Sequence, residues 1–153
     1  MLIYIDADAC PVSIKETLYK VAQKRQISII LVANSQLNIP LSEYIKTIIV
    51  PKGLDIADDK IVEIVNEGDL VITADIPLAD RVVQKDAFAI NPRGFLYTKE
   101  NIKPILSNRN FMTELRNNGI ETGGPSSFTK KDKELFANQL DRFLTKYHKK
   151  IIL

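Results

Sequence analysis

A chain of 153 residues, 45% hydrophobic and 26% charged, is sized for one domain that buries roughly two-thirds of its unfolded surface. No apolar run approaches the roughly 18 residues a membrane helix needs, and no leader-like pattern opens the chain, so neither a membrane span nor a secretory signal is expected. The single cysteine cannot form an internal disulfide, which fits a reducing cytoplasm. Net charge is only +2, yet residues 1–90 hold nine basic and thirteen acidic side chains while residues 91–153 hold twelve and six. An acidic half able to hold divalent cations beside a basic half able to hold phosphates suits a nucleic-acid enzyme; two merely solvated surfaces would show the same bias.

The first strand is Leu2-Ile3-Tyr4-Ile5, an apolar run of the kind buried on both faces. It leads into Asp6-Ala7-Asp8-Ala9-Cys10-Pro11. Extended geometry would send Asp6 and Asp8 to one side, about 6–7 Å apart. Pro11 suits the first turn of a helix with Ile14, Leu18, Val21 and Ala22 inside, which Asp8 could cap. Apolar runs at Ile27–Val32 and Ile45–Val50 predict strands two and three, and the polar stretch between them predicts a crossover joining parallel strands. Ala57, Ile61, Ile64 and Val65 mark a helix ending at Gly68, Leu70–Thr73 a fourth strand, and Leu78, Ala79, Val82 and Val83 a short helix. Ala87–Ile90 is the fifth strand.

Beyond Asn91-Pro92-Arg93-Gly94 the pattern turns helical. Ile102, Ile105, Leu106, Met112 and Leu115 predict a helix stopped at Gly119, with Pro104 in its first turns. Gly123-Gly124-Pro125 reads as a turn. Thr129 with Asp132 resembles a capping box opening a helix with a Phe136, Leu140, Phe143, Leu144, Tyr147 stripe. The expected fold is therefore α/β: a three-layer α/β/α sandwich on a mainly parallel five-stranded sheet, in one domain spanning 1–153 whose residues 95–150 form a helical part packed on it.

Ligands of open parallel sheets collect beyond the carboxyl ends of the strands. Those ends here carry Asp6 and Asp8, Asn34, the group Asp55, Asp58 and Asp59, then Asp75 and Asp80, and finally Asn91 and Arg93. Carboxylates so close would raise one another's pKa unless a cation sat among them, and Mg²⁺ or Mn²⁺ suits an all-oxygen donor set. With one histidine, His148, and one cysteine, Cys10, no zinc site of usual spacing can be written. Each residue also has a plainer reading. Asp75 and Asp8 could be helix caps, Asp80 could face solvent, and Asp55, Asp58 and Asp59 could complement a helix dipole. Cys10 reads as a small packed residue, and Arg93 either clamps a phosphate or pairs with an acid.

Taken together, Asp6-Ala7-Asp8-Ala9-Cys10-Pro11, Val32-Ala33-Asn34, Gly53-x-Asp55-x-x-Asp58, the run from Gly68 to Ala79, Asn91-Pro92-Arg93-Gly94 and Gly123-Gly124-Pro125 resemble the YaiI/YqxD family of small bacterial proteins over nearly the whole chain. That family is remotely similar to PIN-like domains, metal-dependent nucleases with a sheet-edge cluster of acids. The resemblance matches Asp6 to the acid closing the first PIN strand, Thr73-x-Asp75 with Leu78-Ala79 to a later essential acid, Asp58 to a helix-borne acid and Asp80 to a fourth. Asp8 has no firm counterpart.

The expected activity is thus Mg²⁺- or Mn²⁺-dependent phosphodiester hydrolysis of nucleic acid, RNA before DNA. Asp6, Asp8, Asp58 and Asp75 would be catalytic and, with Asp80, would hold the metal. Asn34, Arg93, Lys130 and Lys131 would bind substrate, with Lys133, Arg142 and Lys149-Lys150 as further backbone contacts. Asp6-x-Asp8 after an apolar strand also resembles haloacid-dehalogenase-like phosphatases, with Asp6 as nucleophile and Asp8 as acid–base, although Cys10 falls where Thr or Val would be expected. A non-catalytic RNA-binding protein is the third alternative.

Overall fold

The computed structural model describes residues 1–120 and 127–148; the expected Gly123-Gly124-Pro125 turn and the Lys149-Lys150 contacts lie outside them. In chain order the elements are β1 (Ile3–Asp6), α1 (Val12–Arg25), β2 (Ile29–Ala33), β3 (Ile45–Ile49), α2 (Ile56–Ile64), β4 (Leu70–Ile72), α3 (Ile76–Gln84), β5 (Phe88–Ile90), β6 (Leu96–Tyr97), α4 (Lys99–Asn117) and α5 (Lys130–Tyr147). All five expected strands are present. The sheet order is β3-β2-β1-β4-β5-β6, parallel throughout except for the antiparallel β5–β6 pair.

The sixth strand was not expected. It is two residues long, too short to show a period, and it forms because the Asn91–Gly94 turn folds the chain back on β5: the Gly94 N–H donates to the Asn91 carbonyl at 2.9 Å. Gly94 itself has φ 92°, and a Cβ there would stand 2.7 Å from the Leu135 carbonyl. Glycine is required on both counts. The turn therefore presses directly on the backbone of α5.

The alternation of the strands sorts the core into two layers. Ile3, Ile5, Ile29, Leu31, Leu70 and Ile72 pack under α1 and α5, against Ile14, Leu18, Phe136 and Leu140. Tyr4, Val32, Val71 and Ala89 pack under α2, α3 and the start of α4, against Ile61, Leu78, Val82 and Ile102. Right-handed crossovers explain the division. The chain moves one way along the sheet from β1 to β2, putting α1 on one face, and the other way from β3 to β4 to β5, putting α2 and α3 on the opposite face. Each fully buried Ile or Leu in these layers contributes about 1.5–3 kcal/mol, so the sandwich rests on its apolar strands. The β2–β3 crossover is made without a helix.

Two local expectations at the start of the chain fail. β1 ends at Asp6 and residues Ala7–Ala9 tighten into a 3-10 turn, so Asp6 and Asp8 do not alternate along an extended strand. Helix α1 is not capped by Asp8; Pro11 occupies the N-cap position and no side chain caps it. The 3-10 turn instead brings the Asp8 carboxylate to the end of β2, where Oδ2 accepts from the Asn34 N–H at 2.9 Å. Among the described residues no helix is long and apolar enough to cross a membrane.

Candidate active site at the carboxyl edge of the sheet

β1 and β4 are neighbours, but the chain leaves them toward opposite ends and faces of the sheet. Their carboxyl ends therefore flank the crevice at which open α/β sheets place ligands. Asp6 lies at the end of β1 on the same side as Tyr4, beneath α2 and α3, and only 8% of its surface is exposed. Thr73, one residue past β4, donates from Oγ1 to Asp6 Oδ2 at 2.9 Å. The same hydroxyl oxygen accepts from the Asp75 N–H at 3.0 Å.

Asp75 is the N-cap of α3, its Oδ1 accepting from the Leu78 N–H at 3.0 Å. The capping reading is correct, and it also fixes the carboxylate at the crevice, because capping occupies only one of its lone-pair directions. Asp58 arrives from the first turn of α2. Burial pushes its carboxyl up to about 6, reinforced by the negative charges of Asp75, Asp6 and Asp55. Asp6 is likewise raised, chiefly by burial, with Asp75 and Asp8 adding to it and the Thr73 hydrogen bond opposing. Asp58 and Asp6, from two separate elements, thus both resist ionisation beside Asp75, the condition a cation relieves.

The other expected residues are placed elsewhere. Asp80 is half a helix further along α3, where Oδ1 accepts from Gln84 Nε2 at 3.2 Å and pairs with Lys103 of α4 at 3.7 Å. Asp59 turns away from the crevice to pair with Arg81 at 2.8 Å. Asn34 touches the site through its backbone N–H, not its side chain. Arg93 Nη1 is bonded at 2.9 Å to Asp132 Oδ2, an acid of α5 and not one of the strand-end acids. Lys130 and Lys131 are exposed at the start of α5, and Lys133 is half-buried. Cys10 is packed in the α1 layer with its thiol pushed up to about 12 by burial, as its plain reading held.

The donor chemistry fits a hard divalent cation in kind: carboxylate oxygens gathered at the ends of neighbouring strands. Among the described residues, however, no three His, Cys, Asp or Glu side chains come close enough together to hold an ion by themselves. An Mg²⁺ ion keeps several waters and is held by one or two carboxylates, so a set of three is not required of a site for it. Thr73 holds Asp6, the α3 N-terminus holds Asp75, and the Asp58 carboxyl is hydrogen-bonded to Asp75.

Two residues that sequence reasoning did not assign belong to the same region. Tyr97, on β6, is 5% exposed, and its phenol is raised by burial and by the Asp75 charge. Phe128 stands below the Arg93 guanidinium, 5.7 Å from ring centroid to Cζ. Neither carries a local signal, because each reaches the crevice only through the β6 turn and the seating of α5.

A profile described as "Uncharacterized BCR, YaiI/YqxD family" matches residues 4–146. The chain belongs to the YaiI/YqxD family. It is similar to a UPF0178 protein of Maridesulfovibrio salexigens, 58% identical over 146 residues that cover 95% of this chain and 97% of the relative. A UPF0178 protein of Shewanella sediminis is 54% identical over 149 residues, covering 97% and 99%. One of Dechloromonas aromatica is 55% identical over 146 residues, covering 95% and 97%. No solved structure matches the chain. The family membership expected from the motifs is therefore correct, and these names state no activity.

Proposed function

We propose that the protein is a divalent-metal-dependent phosphodiester hydrolase acting on nucleic acid, RNA in preference to DNA. The observation that carries this reading is the convergence of Asp6, Asp58 and Asp75 on the crevice between β1 and β4, with the Asp58 carboxyl raised to about 6. The resemblance of these positions to the acids of PIN-like domains supports it. Asp6 and Asp75 would hold a Mg²⁺ or Mn²⁺ ion, with Asp58 closing from α2. When bound, such an ion supplies positive charge to the phosphate and acidifies a water.

The residues of the chain do the rest. Thr73 orients Asp6 and ties it to the start of α3, so two of the carboxylates keep their spacing without a ligand. Asp8 keeps one oxygen on the Asn34 amide, closing the edge toward β2. A ligand phosphate would be approached from the α5 side by Lys130 and Lys131.

The test is cleavage of fluorescent single-stranded RNA and DNA of mixed sequence by metal-stripped protein, with Mn²⁺ or Mg²⁺ restored, beside the Asp6→Asn/Asp75→Asn double variant. Cutting that requires the metal and disappears in the variant is expected. Equal, metal-independent cutting by both proteins, or none by the wild type with either ion, overturns the reading.

A further inference from the structure

Beside the acid crevice lies a cleft of about 500 Å³, floored by Pro11, Ile76, Pro92, Tyr97 and Phe128 and walled on one side by Arg93. Its volume falls within the ~300–1,000 Å³ common for small-ligand sites. It lies beside Asp75: Ala74 and Ile76, the residues on either side, line it, and the Asp75 charge acts on the Tyr97 phenol. Phe128, Pro11 and Ile76, each half-buried, make a surface for a flat apolar group, backed by the buried Pro92 and Tyr97.

The polar groups around the cleft are already engaged with one another. Asn91 Oδ1 accepts from the Arg93 N–H at 2.9 Å and the Phe95 N–H at 3.0 Å, and Asn91 Nδ2 donates to the Tyr97 hydroxyl at 3.3 Å. Arg93 is held by Asp132, which in turn is fixed in the capping box with Thr129. What such walls offer a ligand is stacking, beside an Arg93 charge already paired with Asp132. They offer little hydrogen-bond readout.

The charge arrangement selects the ligand further. The acids stand on the α2 and α3 side, while Arg93 and, two and three residues past Phe128, the exposed Lys130 and Lys131 stand on the α5 side. An anionic strand carrying flat bases matches both the basic wall and the aromatic floor.

We propose that this cleft receives one unpaired base of a nucleic-acid strand, without selecting which base, and so lays the adjoining phosphate against the Asp6–Asp58–Asp75 edge. The proposal rests on the phosphodiesterase reading for its substrate class and adds single-strandedness and sequence tolerance. A base kept in a duplex stack cannot enter a cleft lined by Tyr97 and Phe128, so paired nucleic acid is excluded by shape.

The experiment measures binding of a labelled RNA of about twelve nucleotides, single-stranded or annealed to its complement, to the Asp6→Asn/Asp75→Asn protein, which keeps the cleft and loses two of the three carboxylates. Phe128→Ala and, from the facing wall, Ala74→Leu are compared in the same background, with circular dichroism as the check on folding. Single strands of different composition are expected to bind alike and about ten-fold more tightly than duplex. Each cleft variant should lose about ten-fold in affinity, the scale of one stacked base, while Phe128→Tyr retains it. Equal binding of duplex and single strand, no binding of either, or folded Phe128→Ala and Ala74→Leu proteins that bind like their parent overturns the proposal. The two readings fail separately: cleft-dependent binding without metal-dependent cutting by the wild type removes the hydrolase and leaves the cleft, and cutting that ignores both cleft variants does the reverse.

Discussion

The Thr73 hydroxyl donates to the Asp6 carboxylate at 2.9 Å, joining two residues 67 positions apart at the one place where the sheet reverses its order. Both groups are buried, so the bond is the main polar partner of a carboxylate that water cannot reach freely. Thr73→Val keeps the shape and removes the donor. The expected cost is about 1–3 kcal/mol, the penalty for leaving a buried polar group unmatched. Urea denaturation at neutral pH checks it, and Thr73→Ser, which restores a hydroxyl, should recover most of the loss.

Asp58 links stability to pH with a definite sign. Its carboxyl titrates near 3.8 when unperturbed and about 6 in the folded protein, so between those values the folded state holds the extra proton. Its contribution is most favourable below about pH 4 and is lost as pH rises through about 6. Asp58→Asn, which is permanently neutral, should therefore melt at a higher temperature than wild type at pH 7. The gap should close by pH 4. A melting series from pH 4 to 8 measures it; a variant no more stable at pH 7 would remove the crowding of charge on which the candidate site rests. Mn²⁺ at pH 7.5 should raise the wild-type melting temperature more than the variant's, which keeps Asp6 and Asp75 but loses the third carboxylate.

Gly94 tests how closely the β5–β6 turn meets α5. With φ at 92° and its Cβ position 2.7 Å from the Leu135 carbonyl, Gly94→Ala strains the turn and pushes on helix backbone that cannot rotate away. A loss of about 2 kcal/mol or more is expected, with α5 the element displaced. Chemical denaturation gives the magnitude, and hydrogen exchange along α5 gives the location.

Cys10 should be inert. The thiol is buried in the α1 layer and its pKa is pushed up to about 12, so almost no thiolate exists at pH 8. Alkylation of the native protein at that pH should be far slower than in denaturant. Fast native labelling would place Cys10 outside the core.

Much of the architecture is legible in local pattern. Ile3-Tyr4-Ile5, Leu70-Val71-Ile72 and the stripes of α1 and α5 declare buried strands and amphipathic helices, because burial on both faces or on one face leaves a period in the sequence. Leu96–Tyr97 leaves none; its strand exists only because Gly94 turns the chain back along β5. The 3-10 turn at Ala7–Ala9 is also silent, since Asp6-Ala7-Asp8 fits a continuing strand equally well. Arg93 offers the same ambiguity: a lone arginine after a strand does not say whether it meets a phosphate or an acid, and Asp132 lies in a helix that could have docked elsewhere.

Asp58 and Asp59 mark the boundary most sharply. By itself the sequence determined that both sit in the first turn of a helix after a strand, that strands one and four end in acids, and that the layers alternate, all consequences of nearest-neighbour periodicity. Only the tertiary structure decided that Asp58 joins Asp6 and Asp75 while Asp59 pairs with Arg81. One residue turns a helix by about 100°, so two identical neighbours point into different surroundings. What those surroundings are depends on where α2 lies over the sheet, and that follows from the order of six strands, which no stretch of chain specifies alone.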